Sequence, residues 1–217
     1  MDLPFPFTLN PRDSNITNYR RDDISFFPFM GRKVFADVLQ WYRRYSNGDD
    51  VARKLALYGP SGSGKTSILT ALACLLIRKG CHVIYVPSCH LLVADFISHM
   101  MAALYFAIPE DLHSAVDASF EAEDIISLVN DFKKDHFVFI LPEWNAFLPQ
   151  PDDSEADARA SYLEFIKRIV SNHCTICSIS WSGENSRSLN SNEFESDVIY
   201  LEGGFSDVSY CTSTYSA

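Results

Sequence analysis

No apolar run in this sequence is long enough to cross a bilayer. The longest, Leu91–Ala107, is interrupted by Asp95, Ser98 and His99, and it reads as a buried helix. The opening MDLPFPFTLNPRDSN lacks a basic region followed by an apolar stretch, so no export signal is expected and the chain is taken as intracellular. Asn15-Ile16-Thr17, a glycosylation sequon by spelling, then carries no meaning. The six cysteines (74, 81, 89, 174, 177 and 211) have no disulfide-like spacing and are expected as reduced thiols. Cys174 and Cys177 spell C-x-x-C, but no second pair exists to complete a zinc site. Their surroundings read as a strand, which sends residues three apart to opposite faces. A basic excess is missing as well. The net charge of −10 speaks against generic nucleic-acid binding.

What charge there is has an uneven distribution. Residues 1–80 carry 12 Lys/Arg against 7 Asp/Glu, whereas residues 81–217 carry 6 against 21. The basic part contains Gly59-Pro60-Ser61-Gly62-Ser63-Gly64-Lys65-Thr66, which fits G-x-x-x-x-G-K-[ST] at every defined position. An apolar strand, Leu55–Tyr58, precedes it and a helix, Lys65–Lys79, follows. Glycines let the backbone wrap phosphates with its N–H groups turned inward. The helix start adds its positive dipole end. Lys65 is expected to reach the β- and γ-phosphates, and Thr66 to offer its hydroxyl to Mg²⁺. Ser67 completes the expected nucleotide-binding stretch. The site therefore predicts a nucleoside triphosphate ligand, ATP with Mg²⁺.

Around this motif, apolar strands alternate with helices. Strands are expected at 55–58, 81–86, 137–141, 175–179 and 199–201, and helices at 33–45, 65–79, 91–107, 122–134 and 156–171. Ser154 and Asp157 offer a capping pair for the last helix. The pattern predicts an α/β fold, a three-layer P-loop NTPase sandwich around a five-stranded, mainly parallel sheet. Residues 1–48 are divided off as an irregular arm with a leading helix, 49–206 as the NTPase core and 207–217 as a tail.

The acidic partner of a P-loop ordinarily stands at the end of a second apolar strand, as Asp followed by Glu. Here Phe137-Val138-Phe139-Ile140-Leu141 runs into Pro142-Glu143-Trp144. Proline cannot ligate a metal. Glu143 is the candidate catalytic residue beside Lys65, as general base or metal contact, with an ordinary surface acid as the alternative. Weak or absent hydrolysis is expected. After the fourth strand, Ser180, Ser182 or Asn185 could sense the γ-phosphate, and Arg187 is the only basic residue after Arg168.

Together, Phe29-Met30-Gly31-Arg32, LYGPSGSGKT, ILPEWNAF, CSISWSGEN and IYLEGGF resemble the P-loop NTPase domain of Crinkler effectors and retrotransposon hot spot proteins. These belong to the additional-strand group that includes AAA+ and STAND ATPases. The likeness spans roughly residues 27–206. It implies that Gly31 and Arg32 lie near the adenine, and that Pro142-Glu143-Trp144-Asn145 keeps the family frame while losing its Asp. Family members often add helical segments and a nuclease-like domain. The sequence shows neither, nor a translocation segment at its start, so no nuclease activity is expected of it. Besides an ATPase, the residues allow a nucleotide-dependent switch that engages a protein partner or a second copy without turnover. A small-molecule kinase would need an Arg-rich lid, and residues 144–158 hold no Arg or Lys. A GTPase would need Asn-Lys-x-Asp, which is missing. Nothing in the sequence points to a nucleic acid or membrane partner.

Overall fold

Strand Lys54–Pro60 (β4) lies inside a five-stranded sheet, hydrogen-bonded to a parallel neighbour on each side. The computed structural model describes residues 2–4, 19–21, 24–28, 32–49, 52–119, 121–131, 137–148, 156–181 and 196–201. The other strands of this sheet are Val83–Tyr85 (β5), Val138–Leu141 (β6), Cys174–Trp181 (β7) and Asp197–Tyr200 (β8), in the spatial order β5-β6-β7-β4-β8. All four pairings are parallel. The order inserts β7 between the P-loop strand and the strand ending at Pro142. The three-layer P-loop NTPase sandwich expected from the alternation of elements is what forms, with a five-stranded parallel sheet.

Each central strand divides its residues between two cores, so the sheet forms the middle layer of three. Leu55 and Leu57 of β4, Val138 and Ile140 of β6, and Cys174 and Ile176 of β7 face one side. There they meet helices Lys33–Ser46 (α1) and Lys65–Arg78 (α2) through Val38, Trp41, Leu69, Leu72 and Leu76. Phe139, Leu141, Cys177 and Ile179 face the other side. There they meet Cys89–Ala94 (α3), Phe96–Ala107 (α4), His113–Asp117 (α5), Ala122–Asp131 (α6) and Ala156–Val170 (α7). Cys174 and Cys177 thus point to opposite cores, and burial pushes the Cys177 thiol up to about 12 and Cys174 higher still. No cluster of metal-ligating side chains exists among the described residues.

Helix boundaries follow local chemistry. α2 ends in a Schellman turn, with Gly80 at φ +77° donating to Ile77 O and Cys81 N donating to Leu76 O at 3.0 Å. The single helix expected over 91–107 is two helices. Asp95 leaves helical geometry and accepts from Ser98 N at 3.1 Å, capping α4, while α3 begins earlier, at Cys89. The Asp that interrupts the apolar run is therefore a cap, and capping prevails over continuous helix propensity. No described helix is long and apolar enough to cross a membrane.

Three short strands and one helix are described within the first 48 residues. Asp2–Pro4 (β1), Tyr19–Arg21 (β2) and Ile24–Pro28 (β3) pair as a small antiparallel sheet in the order β1-β3-β2. The leading helix α1 packs on the sheet, with Val38 and Trp41 buried in the core it shares with α2. Asp197 at the start of β8 accepts from Trp41 Nε1 at 2.6 Å and from Ala52 N at 3.3 Å. One carboxylate thereby joins α1, the edge strand and the residues leading into β4. The expected capping residue Ser154 lies outside the described residues.

Candidate nucleotide site

β4 delivers its last residues, Gly59 and Pro60, into a tight turn over Ser61–Gly64 that opens α2. Gly62 and Gly64 stand at φ +77° and +82°, a region glycine enters without strain. Gly59 is required for another reason. A Cβ there would sit 2.8 Å from Leu201 O and 2.9 Å from Leu201 Cβ, because Leu201 N donates to Tyr58 O and brings the chain after β8 across the loop.

Lys65 is 4 % exposed. Its ammonium donates to Gly59 O at 2.8 Å, Pro60 O at 2.7 Å and Ser63 Oγ at 3.2 Å. All three partners belong to the loop itself, and none carries a charge. Burial lowers the Lys65 pKa to about 8. Two carbonyls and one hydroxyl take its hydrogen bonds, and no carboxylate is among these three acceptors. Thr66 is half-buried, and Ser61 and Ser67 are exposed.

Arg32 joins the loop from outside it. It occupies the N-cap position of α1, and its Nη1 donates to the Ser63 carbonyl. A Cβ built on Gly64 would lie 3.2 Å from Nη1 and 3.4 Å from Cζ, so the guanidinium lies close against that glycine. The side chain expected near the adenine is thus placed at the P-loop. Gly31 lies outside the described residues.

At the end of β6, Pro142 is buried and Glu143 turns the chain at φ 59°, the one positive-φ non-glycine among the described residues. Such a turn costs about 1–2 kcal/mol for a side chain with a Cβ. Two bonds hold it there. Glu143 N donates to Ser178 Oγ at 3.0 Å, and Glu143 Oε2 accepts from Ser88 Oγ at 2.7 Å. Ser88 follows β5, so it draws the carboxylate to the side of β6 away from the P-loop strand. Neither serine stands out in the sequence. The position of Ser88 just past the C-terminal end of a parallel strand, where such sheets bind ligands, is the signal that could have found it.

The following turn, Trp144–Phe147, locks β7. Asn145 Nδ2 donates to Ser180 O at 2.6 Å and Ser180 N donates to Asn145 Oδ1 at 2.7 Å. The amide acts as one more rung of the ladder. Ser180 sits opposite Gly59 in the β4–β7 register, and both of its backbone groups are bonded to Asn145. Ser182, Asn185 and Arg187 lie outside the described residues. Asn145→Ala leaves both Ser180 backbone groups without that partner, and should cost about 2 kcal/mol. Urea unfolding monitored by far-UV dichroism measures it; a loss below about 0.5 kcal/mol would mean water replaces the amide.

Neither a protein-family model nor a curated protein matches the chain. Solved structures that resemble it include Aquifex aeolicus DnaA bound to AMPPCP, at 16 % identity over 81 % of this chain and 48 % of that one, with a TM-score of 0.44. PCH-2 of C. elegans matches at 16 % identity over 79 % of this chain and 42 % of that one, TM-score 0.45. The replication initiator DnaA bound to AMPPCP and single-stranded DNA matches at 16 % identity over 82 % and 48 %, TM-score 0.46. The chain spans less than half the length of each of these.

Proposed function

We propose that this protein binds ATP at Gly59–Thr66 and hydrolyses it weakly or not at all. The observation that carries the reading is the buried Lys65 ammonium, held only by uncharged acceptors of a loop whose glycines are in phosphate-cradling geometry. The three layers and the strand order agree with it. Residues 49–206 act as the nucleotide-binding unit with α1 packed into it, 1–48 otherwise as an arm and 207–217 as a tail. The sequence resemblance to the Crinkler and retrotransposon hot spot type remains our assignment of subfamily.

The usual Mg²⁺ arrangement fits only in part. On the reading proposed here the Thr66 hydroxyl would contact the ion, but a buried proline follows the strand at the carboxylate's usual position and Glu143 is bonded to Ser88. When bound, Mg²⁺ would neutralise phosphate charge. No step here is assigned to it. Glu143, the candidate base, is held by Ser88, which supports low turnover. The same bond favours a second role, a nucleotide-dependent switch for a protein partner or second copy, in which the triphosphate orders the loops rather than being consumed.

Turnover of ATP by the purified chain tests this reading. We expect a rate far below the roughly 1–1,000 s⁻¹ of ordinary enzymes, alongside measurable binding. Pro142→Asp should raise the rate at least about tenfold in Mg²⁺ if the missing carboxylate is what limits it. Vigorous turnover in the parent that disappears with Lys65→Ala would rule out the no-hydrolysis reading.

A further inference from the structure

Two cations of the chain, Lys65 and Arg32, meet at the P-loop, and Pro142 stands where an acid is usually set against the metal. Lys65 fills the cradle from below, with its donors on Gly59 O, Pro60 O and Ser63 Oγ. Arg32 covers the rim, bonded to the Ser63 carbonyl and lying against Gly64 at the start of α2. A guanidinium keeps its charge at every working pH and suits phosphate oxygens through paired N–H groups. A rigid element delivers it. α1 is anchored by Val38 and Trp41 in the core and by the Trp41–Asp197 bond, and Phe35 N donates to Arg32 O at 2.9 Å.

On the acidic side the arrangement is reversed. Pro142 is buried and Glu143 is bonded to Ser88. In a P-loop that keeps its carboxylate, Mg²⁺ brings two positive charges to the phosphates, and the acid holds the ion in place. Here the ion would find the Thr66 hydroxyl and no carboxylate at that strand end. Positive charge built into the chain already stands at the same loop.

We propose that this loop takes its nucleoside triphosphate as the metal-free polyanion, with Arg32 beside Lys65 supplying charge that Mg²⁺ supplies elsewhere. The proposal rests on the nucleotide-binding reading above and concerns which form of the ligand the site selects. Arg32 acts as a phosphate-contacting residue through guanidinium N–H groups that already lie at the loop. Inorganic tripolyphosphate carries the same chemistry and should compete.

Isothermal titration of the full chain with ATP, once in excess EDTA and once in excess Mg²⁺, tests the proposal. The expected dissociation constants agree within about threefold, or favour EDTA, because fixed cations replace the ion. Arg32→Gln, which keeps a donor and removes the charge, should weaken binding in EDTA by about 10- to 100-fold and weaken it less in Mg²⁺. Arg32→Lys should recover part of that loss. An affinity more than about tenfold weaker in EDTA than in Mg²⁺ would overturn the proposal. Unchanged EDTA affinity in a folded Arg32→Gln protein would overturn the role of Arg32. Absence of binding in both buffers would instead refute the nucleotide reading itself. The two-buffer comparison uses the unmodified chain, so it stands even if the variants fold poorly.

Discussion

Lys65→Met should lose at least about 100-fold in ATP affinity while the unliganded protein stays as stable as before or becomes more so. The two effects have one origin. The ammonium is 4 % exposed and has only neutral loop acceptors around it, so its desolvation is incompletely offset until an anion arrives. Methionine keeps most of the stem and removes the charge. The pH dependence gives a second signature. Burial lowers the Lys65 pKa from 10.5 to about 8. Between those values the unfolded chain holds a proton that the folded chain has released, so stability rises with pH across that window. Below about 8 both states are charged, and the folded state bears the full burial penalty. Subtracting the Lys65→Met stability profile from that of the parent should isolate this rise. ATP affinity should fall over the same window, because binding needs the charged form. A flat difference profile, or unchanged affinity in the variant, would refute the account of Lys65 as the phosphate cation.

Trp144→Ala should cost about 3–5 kcal/mol, the usual range for emptying a large aromatic site. Trp144 is buried against Phe147, with ring centroids 5.3 Å apart, in the short turn that also presents Asn145 to Ser180. Losing the indole loosens the turn, and with it the far end of β7 beside Gly59. Denaturant unfolding should show the loss, and Trp144→Phe should recover more than half of it. A cost under about 1 kcal/mol would mean that the turn's hydrogen bonds hold it without the indole. The Trp-Asn pair beside the candidate base therefore has an architectural role: one residue fills a core and the other extends a sheet.

The fold was legible because its signals are local and repetitive. Phe137–Leu141 reads as a strand buried on both faces, and its residues alternate between the two cores. Gly59–Thr66 states its own backbone geometry through its glycines. The division of 89–107 was harder to see, since Asp95 appears as a blemish in an apolar run until its bond to Ser98 is known. The site was legible only where one contiguous segment makes it. Ser88 and Ser178 lie 55 and 35 residues from Glu143, and only the sheet order brings them to it. Arg32 was singled out for the ligand, but its position against Gly64 depends on how α1 docks.

The P-loop strand occupies the interior of the sheet, yet both of its partners are made late. Lys54 pairs with Thr175 and Leu55 with Asp197, contacts roughly 120 and 140 residues apart. As the chain leaves the ribosome, the Gly59–Gly64 loop has no flanking strand until nearly all of the core has emerged. Its glycines and buried lysine can take up their geometry only at the last step of assembly. Nucleotide should therefore favour the finished fold and act little on its earlier intermediates, slowing unfolding far more than it speeds refolding.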